Sequence, residues 1–160
     1  MLIFERPFVF CKVFSLSLFG MRSTTLLFGF GQLAAAQYYT LVDDYNPTNF
    51  FDKFNFMTFA NGDGTGGFVD YKDKQTATTS NLIKNFGHSV VFRADNTTRV
   101  EETSKGRPAV RLEGTAKYNK GVIVADIQHM PGNACGAWPA FWSFGDNWPH
   151  DGEIGMYDDH

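Results

Sequence analysis

Short runs in which apolar and polar residues alternate with a period of two, closed off by Gly, Asn, Asp and Pro, constrain this chain more than any other feature. Phe54, Phe56 and Thr58 alternate with Asn55, Met57 and Phe59. Residues 89–94 and 109–113 keep the same period, the latter setting Val110 and Leu112 against Arg111 and Glu113. Residues 121–130 extend it, with Val122, Val124 and Asp126 on one face and Ile123, Ala125 and Ile127 on the other. Such alternation puts one face of a strand on a core and leaves the other to solvent. Helical spacing of apolar residues is hard to find, and turn clusters at 61–67 (Asn-Gly-Asp-Gly-Thr-Gly-Gly) and 104–108 separate the runs. The sequence therefore predicts an all-β domain without internal repeats or low-complexity tracts.

Residues 1–36 stand apart. They are rich in Phe and Leu, set Arg6, Lys12 and Arg22 against the single acid Glu5, and close on Leu33-Ala-Ala-Ala36. Met21-Arg22, the apolar run at 26–30 and the small residues at 34–36 follow the basic, apolar and cleavage regions of a secretory signal peptide. Initiation at Met21 would leave a compact signal. The alternative, a membrane anchor, is disfavoured because Arg22 and the neighbouring Ser and Thr interrupt the roughly 18 to 20 apolar residues that a span needs. The expectation is a secreted, extracellular protein that begins at Gln37 and keeps no membrane anchor after cleavage. The sequon Asn96-Thr97-Thr98 fits an extracytoplasmic surface turn, although such triplets also arise by chance.

Three of the 14 basic and one of the 17 acidic residues fall in 1–36, which leaves 11 against 16 in residues 37–160. An acidic remainder without a basic stripe excludes nucleic acid as an expected partner. Cys11 would leave with the leader, so Cys135 stands as an odd thiol, which implies intermolecular pairing or a missing partner, and the expectation is the missing partner. His88, His129, His150 and His160 show no ligand spacing; the expectation is no metal site and no cofactor. A monomer is expected. Size is the difficulty: a β-sandwich with a ligand groove runs to roughly 200–250 residues as one domain. A half-sandwich leaves an uncovered apolar face and open edges.

The richest chemistry lies in Cys135-Gly-Ala-Trp-Pro-Ala-Phe-Trp142 and Asn147-Trp-Pro-His-Asp-Gly-Glu-Ile154, which combine three tryptophans with a carboxylate. With Arg107-Pro-Ala-Val-Arg-Leu112, residues 122–131 and the Tyr-rich start at 38–45, these motifs resemble family-16 glycoside hydrolases, most closely the fungal laminarinase-type endo-1,3(4)-β-glucanases. The resemblance covers about residues 38–154, and implies a concanavalin A-like β-jelly-roll sandwich truncated to about its first half. It further implies a retaining double displacement on β-1,3(4)-glucan, with two carboxyl groups roughly 5 to 5.5 Å apart across the scissile bond.

By that resemblance Glu153 is the nucleophile. Gly155 stands where the family has an assisting Asp, and Asp158 where the bulged form has its acid/base Glu. Asp is one methylene shorter, and at an offset of five it needs a β-bulge to share a face with Glu153. A misplacement of about 1 Å already costs on the order of a hundredfold in rate. A family match that ends near Ile154, with 155–160 unrelated, accounts for both departures more simply than genuine substitution. In a strand over 138–143, Trp138, Ala140 and Trp142 share one face and Phe141 takes the other.

The resemblance gives Trp142 and Trp148 to sugar subsites, with Trp138 as their support; an isolated Trp would otherwise belong to the core. Arg111, on the polar side of its run, either reaches the groove or is exposed on the surface. Three functions follow: a secreted glucanase, a glucan binder without catalysis, or a chain that neither folds nor acts. A cell-wall transglycosylase is a variant of the first.

Overall fold

The computed structural model describes residues 9–16, 38–131 and 135–158. Alternation becomes strand almost everywhere it was expected. β1 (Val9–Leu16), β2 (Tyr39–Tyr45), β3 (Phe54–Phe56), β4 (Val69–Tyr71), β5 (Ile83–Asn85), β6 (Val90–Phe92), β7 (Arg107–Ala109), β8 (Leu112–Gly114), β9 (Val122–Asp126), β10 (Ala140–Phe144) and β11 (Glu153–Asp158) follow in that order. The pairs are antiparallel except β4 with β7. β1 is the middle strand of a three-stranded sheet, with β2 on one side and β9 on the other. It therefore takes its residues from the segment expected to be a leader, whose apolar run at 26–30 and cleavage residues 34–36 lie outside the described residues.

Three local expectations need correction. The run at 109–113 is not one strand: β7 pairs with β4, β8 pairs with β3, and the chain changes partner between them. At the switch the Arg111 carbonyl accepts from the Met57 amide at 3.0 Å. The second correction is α1 (Lys74–Thr79), a short helix. Asp73 caps it by accepting from the Thr76 amide at 2.8 Å, and only Ala77 is buried, so the helix is too short for an apolar periodicity to show. Third, β10 begins at Ala140 rather than 138, because Pro139 lacks the N–H that a ladder needs.

The core is built where the alternating faces and α1 converge. Phe50, in a 3-10 turn at Phe50–Asp52, stacks on Phe92 with ring centroids 5.7 Å apart, and Leu82, Val90, Val110 and Leu112 close around them. Ala125 and Ile127 pack on this cluster and Val124 is exposed, so the second face of β9 turns inward from Ala125 onward, while Ile123 on that same face stays exposed. Phe141 also packs against it, fastening β10 to the core by one side chain and freeing the other face. Among the described residues, no helix is long and apolar enough to cross a membrane.

Candidate active site

The β10–β11 hairpin carries the aromatic and acidic residues. Its register runs Phe144 opposite Glu153, Ser143 opposite Ile154, Trp142 opposite Gly155, then Phe141 opposite Tyr157 and Ala140 opposite Asp158. The step between Trp142 and Phe141 skips Met156, so β11 holds one extra residue, a β-bulge. Because Ala140, Trp142 and Phe144 share a face, so do their partners Asp158, Gly155 and Glu153. The bulge thus returns position 158 to the face of Glu153, with Gly155 between them.

Residues 145–152 turn tightly between the strands. The Gly145 amide donates to the Gly152 carbonyl at 3.2 Å, and the Asn147 amide to Asp151 Oδ2 at 3.0 Å. A side chain at 145 would put its Cβ 2.3 Å from the Asp151 Cβ, so this crossing requires glycine. The turn folds Trp148 back over the strands, where its Nε1 donates to Glu153 Oε2 at 2.7 Å. A charge-assisted bond of this length fixes both the carboxylate and the ring.

Around Glu153 lies an open groove of about 270 Å³, lined by Trp138, Trp142 and Trp148 of the hairpin region, by Gly64 and Thr65 of the 61–67 turn, and by Arg111. The Trp142 and Trp148 rings meet edge to face at 5.7 Å, and Phe144 lies 4.9 Å from Trp142. Trp138 is half exposed in the groove, a fuller presentation than a supporting role requires. A larger hollow of about 360 Å³ between Pro47, Phe51 and Lys84 has one acid, Asp52, already paired with Lys74 at 2.7 Å. It offers no counterpart to the carboxylate and aromatic wall.

Arg111 departs most from expectation. Surface exposure was open to it, yet it is 5% exposed, with Nη2 2.9 Å from Glu113 Oε1 and Nη1 3.5 Å from Asp63 Oδ2. Its guanidinium carbon sits 5.2 Å from the Phe59 ring and 5.5 Å from that of Trp142. Asp63, Phe59 and Glu113 were not identified as site residues from sequence. Asp63 lay in a run legible only as a turn, although an Asp followed at the second position by Thr is a common self-bonding turn pattern. Burial alone would raise the Asp63 pKa, but the Thr65 hydroxyl and amide together with Arg111 hold it below the usual carboxylate value. Burial, then the Asp63 charge, raises that of Tyr71, which keeps the phenol a hydrogen-bond donor to Asp63. Cys135 is an exposed free thiol, and no cluster of three metal-ligating side chains occurs among the described residues.

A strand hairpin that presents a carboxylate beside clustered tryptophans is the architecture of a carbohydrate-active β-sandwich. Comparison with known proteins makes the class specific. Residues 54–160 match the model of the XgeA-like, catalytic GH16 domain. A probable endo-1,3(4)-β-glucanase of Aspergillus niger is 41% identical over 143 residues, covering 84% of this chain and 19% of that protein. An endo-1,3(4)-β-glucanase of Arthroderma benhamiae is 43% identical over 136 residues, covering 84% of this chain and 29% of that one. Among solved structures, an elongating GH family 16 β-1,3-glucosyltransferase superposes with a TM-score of 0.64 at 46% identity, over 69% of this chain and 37% of the other.

The chain belongs to glycoside hydrolase family 16, and its strands form part of that family's β-jelly roll. It spans less than a third of the length of the two glucanases it matches. The family match runs to residue 160, past Ile154 where the motifs alone placed its end.

Proposed function

We propose that this groove binds β-1,3(4)-glucan, and that Glu153 is the nucleophile of a retaining O-glycosyl hydrolase. The observation that carries the proposal is the Glu153 carboxylate, held by Trp148 Nε1 at 2.7 Å inside a groove walled by three tryptophans. Indole faces stack on the apolar faces of pyranose rings and set the anomeric carbon against the carboxylate. In the first step a Glu153 oxygen would bond to that carbon as its bond to the leaving oxygen breaks and the opposing acid supplies a proton. Water then attacks the glycosyl ester, gives its proton to the same group, and frees Glu153.

In this chain that cycle is crippled at two places. Gly155 supplies no carboxylate between the reacting positions, and Asp158 is shorter than the Glu which the cycle calls for. The register of β11 supports a role for position 158, but a bulge restores register and not the length of the side chain. A transferase reading is favoured by one observation, the 46% identity to a β-1,3-glucosyltransferase; there a sugar hydroxyl would replace water in the second step. A non-catalytic glucan binder keeps the tryptophan wall and loses only the proton transfer. The wider proposal is a secreted, monomeric protein acting on extracellular glucan.

The test is to titrate the chain with laminarin while following tryptophan fluorescence, and to measure release of reducing ends. Saturable binding is expected, with hydrolysis below about a hundredth of an intact relative's, as a misplaced acid implies. Residual release should vanish with Glu153→Gln. Absence of binding overturns the glucan reading, and release that survives Glu153→Gln overturns the nucleophile. Release at an intact relative's level that Glu153→Gln abolishes overturns only the crippling.

A further inference from the structure

We propose that Asp63 is a positioning residue of this groove: it locks the 61–67 loop, whose Gly64 and Thr65 line it, and, through Arg111, sets the Trp142 ring that lines it as well. The inference rests on the reading that the groove takes glucan, and adds to it the part that holds these two linings in place. Asp63 lines none of the groove itself. Its side chain is 2% exposed, yet it bonds to both sides.

On the loop side, Asp63 Oδ1 accepts from the Thr65 amide at 3.0 Å and from the Thr65 hydroxyl at 2.6 Å. Gly62, Gly64 and Gly66 all take positive φ, so this loop reverses at every second residue and could adopt many other shapes without a fixed centre. Two bonds from one carboxylate oxygen select the shape that brings Gly64 and Thr65 to the groove. The Tyr71 hydroxyl bonds the same carboxylate and ties it to β4.

On the tryptophan side, Asp63 Oδ2 faces Arg111 Nη1, and Arg111 lies between the Phe59 and Trp142 rings. Trp142 needs this support because its own Nε1 is buried and meets no acceptor. A ring held by no hydrogen bond of its own takes its position from what packs against it, here Arg111, Trp148 and Phe144. Glu113 alone would keep Arg111 paired, but from the other end of the guanidinium. Removing the Asp63 charge should therefore loosen both linings while leaving Arg111 with a partner.

The decisive experiment compares the full chain with Asp63→Asn and with Val90→Ala, a core variant outside the groove chosen to match it in lost thermal stability. Laminarihexaose affinity is read by tryptophan fluorescence, and amide exchange is followed over 61–67 and over β6. Asp63→Asn should bind about tenfold more weakly and exchange faster at 61–67 only, while Val90→Ala should bind as the wild type does. Wild-type affinity in Asp63→Asn, or an equal loss in Val90→Ala, overturns the proposal. If the wild type ignores the hexaose, the glucan reading fails separately, and exchange still decides whether Asp63 holds the loop: unchanged exchange at 61–67 overturns that as well.

Discussion

Two regions of this molecule use aromatic residues in opposite ways. In the core, Phe50 and Phe92 are 2% and 0% exposed and stack on each other with Leu82 and Val110 around them. In the β10–β11 hairpin, Trp138, Phe144 and Trp148 are 50%, 43% and 37% exposed, and Ile154 is 68% exposed. The first arrangement converts aromatic area into stability by removing it from water; the second leaves area wet, where a flat apolar ring can still be covered by a ligand. Phe141 joins the two, packing its ring on the core from the strand that presents Trp142 to the groove.

The contrast predicts that substitutions will separate by region. Phe92→Ala should cost about 3–5 kcal/mol, because a fully buried ring is replaced by a cavity beside Phe50. Urea denaturation measures it, and a loss comparable to that of a surface substitution would show that the core is not where stability resides.

Acid probes the boundary between the regions. Asp43, bonded first of all by Lys53 and then by Tyr118, titrates below its ordinary value, as does Asp63 on the groove side. Asp95 is held lower still by Thr98 and Thr97. Folded values below the unfolded one of about 3.9 mean that this stabilisation is fully present above that pH and is lost as pH falls through the folded values. Urea midpoints should drop below about pH 4. Asp63→Asn should lessen that drop, and an unchanged slope in this variant would remove Asp63 from the balance.

The smallest effect belongs to Ile154, which lies on the Phe141 side of the hairpin yet is 68% exposed. Ile154→Ser should shift stability by no more than about 0.5 kcal/mol while reducing self-association at high concentration. A larger loss would show that Ile154 is covered in solution and would narrow the contrast between the regions.

Much of this was legible in the residues. The period of two found the strands at 54–56, 90–92 and 122–126, and the Trp-Pro-Ala-Phe-Trp run beside Glu153 located the groove. Local pattern could not show the break at Val110, because the change of strand partner depends on where β4 and β3 lie. Nor could it show that Asp63 meets Arg111 across 48 residues of chain. Pairing between distant polar groups leaves no periodicity, only the opportunity that a self-bonding turn provides. The apolar stretch at 9–16 was equally uninformative, since a short apolar run suits a strand as well as a targeting segment.

That stretch gives β1 a meaning beyond its sheet. A cut after residue 36 would leave β2 and β9 facing each other across an empty lane about 10 Å wide, the space of one strand, with unsatisfied amides along both banks. Export processing and folding would then compete for the same residues, and order in time would decide between them. A peptidase that arrives first leaves a sheet with an appetite for some other extended segment; a strand already stitched between two neighbours is held by ladder bonds that a cut after residue 36 does not break.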